Sequence, residues 1–490
     1  MGTGFYLGVI IFYAIAMVII GIVLRKQANK SMADYGLASN RFGTGVVALV
    51  SIGAWVGSGG LLGLASSGYT DGVMGYWEYA MGYICILPFV FLFAAKVKVL
   101  NLYTIPEFFT MRYSKFNGFV CYPTGVLFLV RNATTLGMQL NALAFLFAAF
   151  FGWEHVYGVL VSAIIVVIYT AMSGFLSVMV TNFVQSIFQT LAPFLALGFV
   201  IWYVGGWDQV TAYYDNIGQA ENLSLFNGTE WIKNVIYYFF TTGLFFLMSD
   251  QGDWQRIGSS KTAKTAKNSL LIGTILVLPV LAVPCFVGAG ARLALGNNVE
   301  SDMVFYELIK IAGPVVGALL IIGVLSTIMS ATSSFLFAGG MNVSKDIIIQ
   351  YMNKSGKKVS EKQEIFISRI GVIICCLVGI GFAVLITDLL ELWGTGLSIC
   401  AAGLIPPFLF AWFSKRANTE GALTAMIGGG GAALAWTLLG TPFDINPIWI
   451  GLPISVLACL IVPLFTAPPT QEEVNTTYFF NEKFKDANKK

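Results

Sequence analysis

Leu49-Val-Ser-Ile-Gly-Ala-Trp-Val-Gly-Ser-Gly-Gly-Leu-Leu-Gly-Leu64 lies in an apolar run long enough to cross a bilayer. Its centre, Gly57-Ser-Gly-Gly60, is poor helix material, because Gly costs about 1 kcal/mol per residue against Ala. In hydrocarbon, irregular backbone survives only where protein buries it or where it lines a cavity. Two readings follow. Small residues can let helices pack closely. Alternatively, the helix breaks near the midplane, as in secondary transporters, and frees carbonyls at Ala54 and Gly57 to hold an ion or a solute.

The rest of the chain sets the context. Of its 490 residues 57% are hydrophobic and 11% charged, whereas a soluble domain carries about 25% charge. Apolar runs recur at roughly 5–24, 45–67, 73–97, 117–150, 156–173, 177–204, 229–249, 268–291, 314–338, 366–386, 391–413, 420–439 and 446–466, about 13 in all. The predicted fold class is therefore an all-α, polytopic membrane protein. The first run lacks a basic stretch before it and a cleavage site after it, so it reads as a retained span. The seven cysteines sit mostly in apolar runs without metal spacing. The single histidine, His155, argues against a metal centre or a His relay.

Lys and Arg gather in alternate loops: Arg25 to Arg41, Lys98 to Lys115, Arg256 to Lys267, Lys345 to Lys362, Lys415-Arg416, and a tail ending in Lys489-Lys490. Short cytoplasmic loops hold such an excess. The expected orientation is an N-terminus outside and a C-terminus in the cytoplasm.

A second polar stretch lies in the 314–338 span: Gly323-Val-Leu-Ser-Thr-Ile-Met-Ser-Ala-Thr-Ser-Ser334. Hydroxyls in helices usually bond back to their own i−4 carbonyl, but there are more here than that needs. Na⁺ is a hard cation suited to neutral oxygens. Ser326 and Thr327 hydroxyls with carbonyls released at the break would cage one.

Several motifs together resemble the sodium/solute symporter family, which includes the sodium/glucose, sodium/proline, pantothenate, sialic acid and choline transporters. They are Ala33-Asp-Tyr-Gly-Leu-Ala-Ser-Asn-Arg41, Tyr103-Thr-Ile-Pro-Glu-Phe108 with Arg112-Tyr113, Ser173-Gly-Phe-Leu-Ser-Val-Met-Val-Thr-Asn-Phe-Val-Gln185, Asp250-Gln-Gly-Asp-Trp-Gln-Arg256, Ser326-Thr327 and Lys415-Arg-Ala-Asn-Thr-Glu-Gly421. The resemblance spans nearly the whole chain. It implies a leucine-transporter-like fold: an extra N-terminal helix and inside loop (1–44), inverted five-helix repeats at 45–205 and 229–416 around an outside loop (206–228), two C-terminal helices (417–467) and a cytoplasmic tail (468–490). It implies a sodium site made by the carbonyls of Ala54, Gly57 and Gly323 and the hydroxyls of Ser326 and Thr327. Asn182 and Met329 stand where some members hold a second sodium with an aspartate and a serine, so one Na⁺ per cycle is expected. No lysine lies within the 268–291 span, where the sugar transporters carry one, which disfavours a sugar.

Candidate solute residues are Trp55, Ser58 and Gly60 at the break, Glu78, Arg131 and Trp393. Intramembrane charges mark function or pair with each other. At 1.5 Å per residue, Glu78 lies about 8 Å below one surface and Arg131 about 21 Å above the other, at matching depths in a core ~30 Å thick. They can form a structural pair, or Glu78 can hold a polar or cationic group, or Arg131 a carboxylate. Trp55 resembles the choline branch and can face an ammonium. The solute is then an amine, urea-like or amino-acid compound, with a monocarboxylate as the alternative. No phosphate-binding loop is present, so the driving force is the Na⁺ potential, with voltage adding about 2.3 kcal/mol per charge per 100 mV. A proton-driven version would need Glu78, Asp250 or Asp388. The chain reads as a transporter rather than an enzyme. Its partners are a solute, sodium and lipid; nothing points to nucleic acid or to an obligatory protein partner.

Overall fold

The computed structural model describes residues 3–28, 31–171 and 174–487. Ser173, which opens one quoted motif, and the terminal Lys489 and Lys490 lie outside them. Among the described residues the fold is helical throughout, apart from one isolated bridge between Phe42 and Ser260. Ten helices are long and apolar enough to cross a membrane. They are α2 (Thr44–Thr70), α3 (Val73–Leu92), α4 (Lys115–Phe151), α6 (Phe175–Val204), α9 (Ala263–Leu295), α10 (Gly313–Lys354), α11 (Glu361–Leu385), α12 (Leu389–Phe413), α13 (Thr419–Leu438) and α14 (Ile448–Phe465). The other expected spans fall on α1 (Thr3–Ala28), α5 (His155–Ala171) and α7, which runs over 230–247 through a wide turn at Phe239–Gly243.

Burial sorts these helices into an interior and a lipid-facing shell. In α2, α4 and α12, 83% of the apolar window is buried, against 33% in α6 and α11 and 28% in α14. Lipid does not penalise exposed Leu and Ile, so the outer helices keep apolar side chains on both faces. The innermost helix, α2, is enclosed by α6, α9 and α10.

The Asp250–Arg256 motif, which the family resemblance places in an inside loop, instead forms α8 (Gln251–Ser259), a fully buried helix that continues α7 after a break at Ser249, whose φ is +64°. Asp250 is its N-cap and Asp253 completes a capping box. Such a reciprocal cap satisfies amide donors that a helix start leaves open, which allows the start to be buried. Both α2 and α7–α8 are therefore broken helices.

The basic loops share one face. Lys98 donates to Asn40 and to the Gly258 carbonyl, and Lys115 pairs with Glu420. The tail lies across this face. Its helix Gln471–Thr477 presents Glu473, whose carboxylate accepts from the Ser114 amide at 3.0 Å and hydroxyl at 2.8 Å. Phe479 donates its amide to the Trp412 carbonyl at 2.9 Å, and Phe484 is buried against Trp412. Burial alone would raise the Glu473 pKa, but the donors of Thr470 and Ser114 outweigh it and hold it below the ordinary value. A depressed carboxylate stabilises above its unfolded pKa of about 4.3 and loses that contribution as pH falls through the lower folded value. We expect proteolytic cleavage of the tail to accelerate as pH drops from about 5 toward 3. Glu473→Gln should show an acceleration of about fivefold already at neutral pH, as expected for weakened charge-assisted bonds.

Candidate functional site

The break in α2 falls at Gly57, with φ 48° and ψ −176°. That backbone is open to glycine and costly for any residue with a Cβ. It reorganises the neighbouring hydrogen bonds. The Ser58 amide donates to Gln139 Oε1 at 3.1 Å. Tyr83 donates to the Trp55 carbonyl at 2.7 Å and Tyr79 to the Val56 carbonyl at 3.3 Å. Gly59 serves close approach: a Cβ there would sit 2.8 Å from the Tyr79 ring.

The second break faces the first. Trp55 Nε1 donates to Asp253 Oδ1 at 3.0 Å, joining α2 to α8. Asp253 also takes Arg256 at 2.6 Å and the Ser249 hydroxyl at 2.6 Å. Asp250 caps Gln251 with one oxygen and accepts Arg131 Nη2 with the other at 2.7 Å. Arg131 comes from α4, its guanidinium between the rings of Phe245 and Phe335 and bonded to Thr135.

Of these groups, Trp55, Arg131, Thr135, Phe335, Asp250 and Arg256 line a closed central cavity of about 10 Å³, roughly the volume that one water needs. Trp55, Tyr79, Tyr83, Phe246 and Trp393 form its aromatic walls, and Tyr79 stacks on Trp393 with centroids 4.3 Å apart. Its charges balance as two ion pairs, Arg131–Asp250 and Asp253–Arg256. Three buried donors on its lining have no acceptor: Arg131 Nε, Arg256 Nε and Gln139 Nε2.

A wider cavity of about 570 Å³ opens on the face opposite the basic loops, lined by Asp71, Glu78, Tyr238, Asp302, Asp388 and others. Asp302 lies in the loop before α10. Burial and the neighbouring charge of Asp388 push its carboxyl up to about 7.

Trp55, Arg131 and Trp393 are therefore brought together, with Ala54 and Gly57 beside them. Ser58 and Gly60 belong to the break: Ser58 gives its amide to Gln139, and Gly60 lies under Tyr79 and Leu281. Glu78 does not pair with Arg131; it lies in the wide cavity, and Arg131 pairs with Asp250. The depth estimate failed because the regular part of α4 begins at Cys121, putting Arg131 only about 15 Å up. Glu78 is in the first turn of its helix, near the mouth. Gln139 and Tyr79 escaped the sequence reading. The signal for Gln139 was its place on the Arg131–Thr135–Gln139 stripe of α4, since residues four apart share a helix face.

On α10, the Ser326 hydroxyl pairs with Tyr13 of α1 at 2.8 Å, and Thr327 bonds back to the Gly323 carbonyl at 2.8 Å. Gly323 faces Ala192 of α6. The residue opposite the break is Ala331: a Cβ at Gly57 would lie 3.6 Å from its Cβ. Beside it, the Ser330 hydroxyl is buried without a partner. Asn182 of α6 donates to the Ser330 carbonyl at 3.3 Å and to Ser334 Oγ at 2.9 Å, and accepts from Ser333 at 3.2 Å.

Two broken helices meeting over a closed, charge-balanced cavity, with a wide vestibule on one face, define a secondary active transporter of the leucine-transporter-like fold. The chain belongs to the sodium:solute symporter family, whose profile matches residues 35–429. It is 24% identical over 477 residues to the sodium/proline symporter of Staphylococcus aureus (strain JH9), covering 93% of this chain and 92% of that protein. Among solved structures, it resembles a Na⁺-coupled sialic acid symporter in a substrate-bound outward-open state. The TM-score is 0.79 at 18% identity, covering 95% of this chain and 99% of that one. It also resembles Mhp1, a nucleobase-cation-symport-1 family transporter, in a closed conformation, with TM-score 0.56 at 12% identity, covering 93% and 98% of the two chains. The protein is thus a multi-pass membrane symporter, and Na⁺ is the ion it carries with its solute.

Removing one partner of a buried pair strands the other charge, at a cost of about 3–5 kcal/mol. Arg131→Met should therefore destabilise the detergent-solubilised protein by about that much in denaturant unfolding. The double variant Arg131→Met/Asp250→Asn should recover more than half, and Glu78→Gln should change stability little.

Proposed function

We propose that this symporter imports a small carboxylate-bearing solute, an amino acid or monocarboxylate, together with one Na⁺. The observation that carries the solute class is the unmet hydrogen-bonding capacity of the central cavity. Its lining carboxylate, Asp250, and the neighbouring Asp253 are both engaged by arginines, whereas Arg131 Nε, Arg256 Nε and Gln139 Nε2 lack acceptors. A buried unpaired donor costs about 1–3 kcal/mol, which a solute oxygen would recover. A purely cationic solute such as a quaternary amine would find no free carboxylate. The aromatic walls suit the remaining body of the solute, including an ammonium group if present. The sodium/proline symporters among the relatives are consistent with an amino acid.

For sodium, the carbonyls of Ala54 and Gly57 and the hydroxyl of Ser330 are the proposed ligands. Ser330 replaces Ser326, whose hydroxyl pairs with Tyr13, and the Gly323 carbonyl, which accepts from the Thr327 hydroxyl. Thr327, one turn before Ala331, stays on the face toward α2. Ala331 leaves one side of this site without a hydroxyl. Asn182 supports a single cation: its amide nitrogen bonds directly to α10, and its oxygen is taken by Ser333.

The transport cycle follows from these placements. By the positive-inside rule the basic loops are cytoplasmic and the wide acidic vestibule is external. Sodium binding at the break joins α2 to α10 and fixes the Trp55–Asp253 contact that presents the cavity to solute. The solute's carboxylate meets the Arg131 edge, the aromatic walls close over it, and both ligands leave on the basic face. The 45–205 and 229–416 repeats supply one broken helix each, α2 and α7–α8, in keeping with an inverted arrangement.

In proteoliposomes, accumulation of the transported solute should vanish when external Na⁺ is replaced by K⁺ with the pH gradient kept. Persistence would transfer the coupling to a proton carried at Glu78 or Asp388. Loss of one charge-binding oxygen is worth at least about tenfold in affinity. Ser330→Ala should therefore raise the half-saturating Na⁺ concentration by at least that factor, and Ser326→Ala should leave it within about twofold. The reverse order would return the site to Ser326 and Thr327.

A further inference from the structure

Gln139 is completely buried, and its two ends face different tasks. Its Oε1 accepts the Ser58 amide at the break in α2. Because an amide is the donor there, the orientation of the side-chain carboxamide follows, and Nε2 is the other end. Nε2 has no partner and lines the central cavity. It lies 3.4 Å from where a Cβ on Gly57 would be, so the carboxamide sits at the point where the break borders the cavity, which Gly57 and Gln139 both line. A leucine would remove the unpaired Nε2 but would strand the buried Ser58 amide, so the break accounts for the oxygen and leaves the nitrogen without a structural task.

We propose that Gln139 is the positioning residue that couples sodium to solute, which rests on the carboxylate-solute reading above. Its oxygen holds the Ser58 amide away from Ala54, keeping the break open and the Ala54 carbonyl turned to the cation. Its nitrogen donates to one carboxylate oxygen of the solute while Arg131 takes the other. The spacing on α4 allows this. The Arg131 guanidinium reaches Thr135, leaving about one helical turn, ~5.4 Å, to Gln139. A carboxylate with a hydrogen bond at each oxygen bridges that distance. A solute that immobilises Nε2 thereby immobilises Oε1 and the break, so each ligand tightens the other, as linkage requires.

The experiment measures sodium affinity of the full-length protein in nanodiscs, by tryptophan fluorescence, with and without saturating solute. The solute is the member of a panel of amino acids and short monocarboxylates that gives the largest Na⁺-dependent thermal shift. In the parent protein, solute should lower the half-saturating Na⁺ concentration by about tenfold, within the usual range of coupling. In Gln139→Leu, and in Gln139→Asn, which is too short to reach both partners, that ratio should fall below about twofold. A merely structural role would weaken both titrations equally and leave the ratio at its parental value, which overturns the proposal. Retention of the ratio in Gln139→Asn alone overturns it as well, should Gln139→Leu fail to fold. If no carboxylate shifts the parent protein in Na⁺, the solute reading falls first. If carboxylates shift the parent and the variants keep the ratio, only the role of Gln139 falls.

Discussion

Gly57 takes φ 48° in the middle of one of the three most enclosed spans, and hydrocarbon offers nothing to the backbone groups this releases. The groups around the break are largely answered from α3 and α4. Tyr83 and Tyr79 take two carbonyls, and Gln139 takes an amide. The break is thus a defined, supported conformation rather than a loose hinge. Its glycines divide the work. Gly57 adopts a backbone that other residues avoid, and Gly59 lets the Tyr79 ring lie against the chain. The weakness of this span as a helix is what lets its backbone groups turn to partners on α3 and α4.

The second break answers the same constraint with charge. A helix start buried in the membrane needs its amides capped, and Asp250 and Asp253 cap α8. Two buried carboxylates are themselves costly unless paired. Arg131 and Arg256 supply that pairing and leave the cavity neutral. The cap residue Asp250 is therefore part of the wall of the central cavity, and its counter-charge comes from a third element, α4. This arrangement ties helix geometry to recognition: moving α8 moves Asp253, and with it the indole of Trp55.

Much of the architecture was legible in the chain. Apolar run length located the long spans, and the alternation of basic loops matched the single face on which Lys98 reaches Asn40 and Gly258 and Lys115 pairs with Glu420. The break was one of two readings open for the glycine-rich centre, close packing being the other, and the structure uses both, a break at Gly57 and close approach at Gly59. Trp55, Arg131 and Trp393 were singled out and do share one cavity. Depth along a helix was a poorer guide. It brought Glu78 and Arg131 to the same level, although short irregular turns at both helix starts shift each by several ångströms.

Composition and hydropathy determined the class of protein and the position of the first break, because both depend on local chemistry: transfer of side chains to lipid and the backbone freedom of glycine. Partnership was decided only by the tertiary structure. Ser326 and Ser330 are one turn apart and chemically identical, yet one meets Tyr13 and the other sits beside Ala331 at the break. Asp250 and Asp253 read as loop acids until α8 folds back beneath α2. Which hydroxyl or carboxylate faces which neighbour depends on the rotation and sliding of whole helices, and a slip of one turn leaves every local pattern in the chain unchanged.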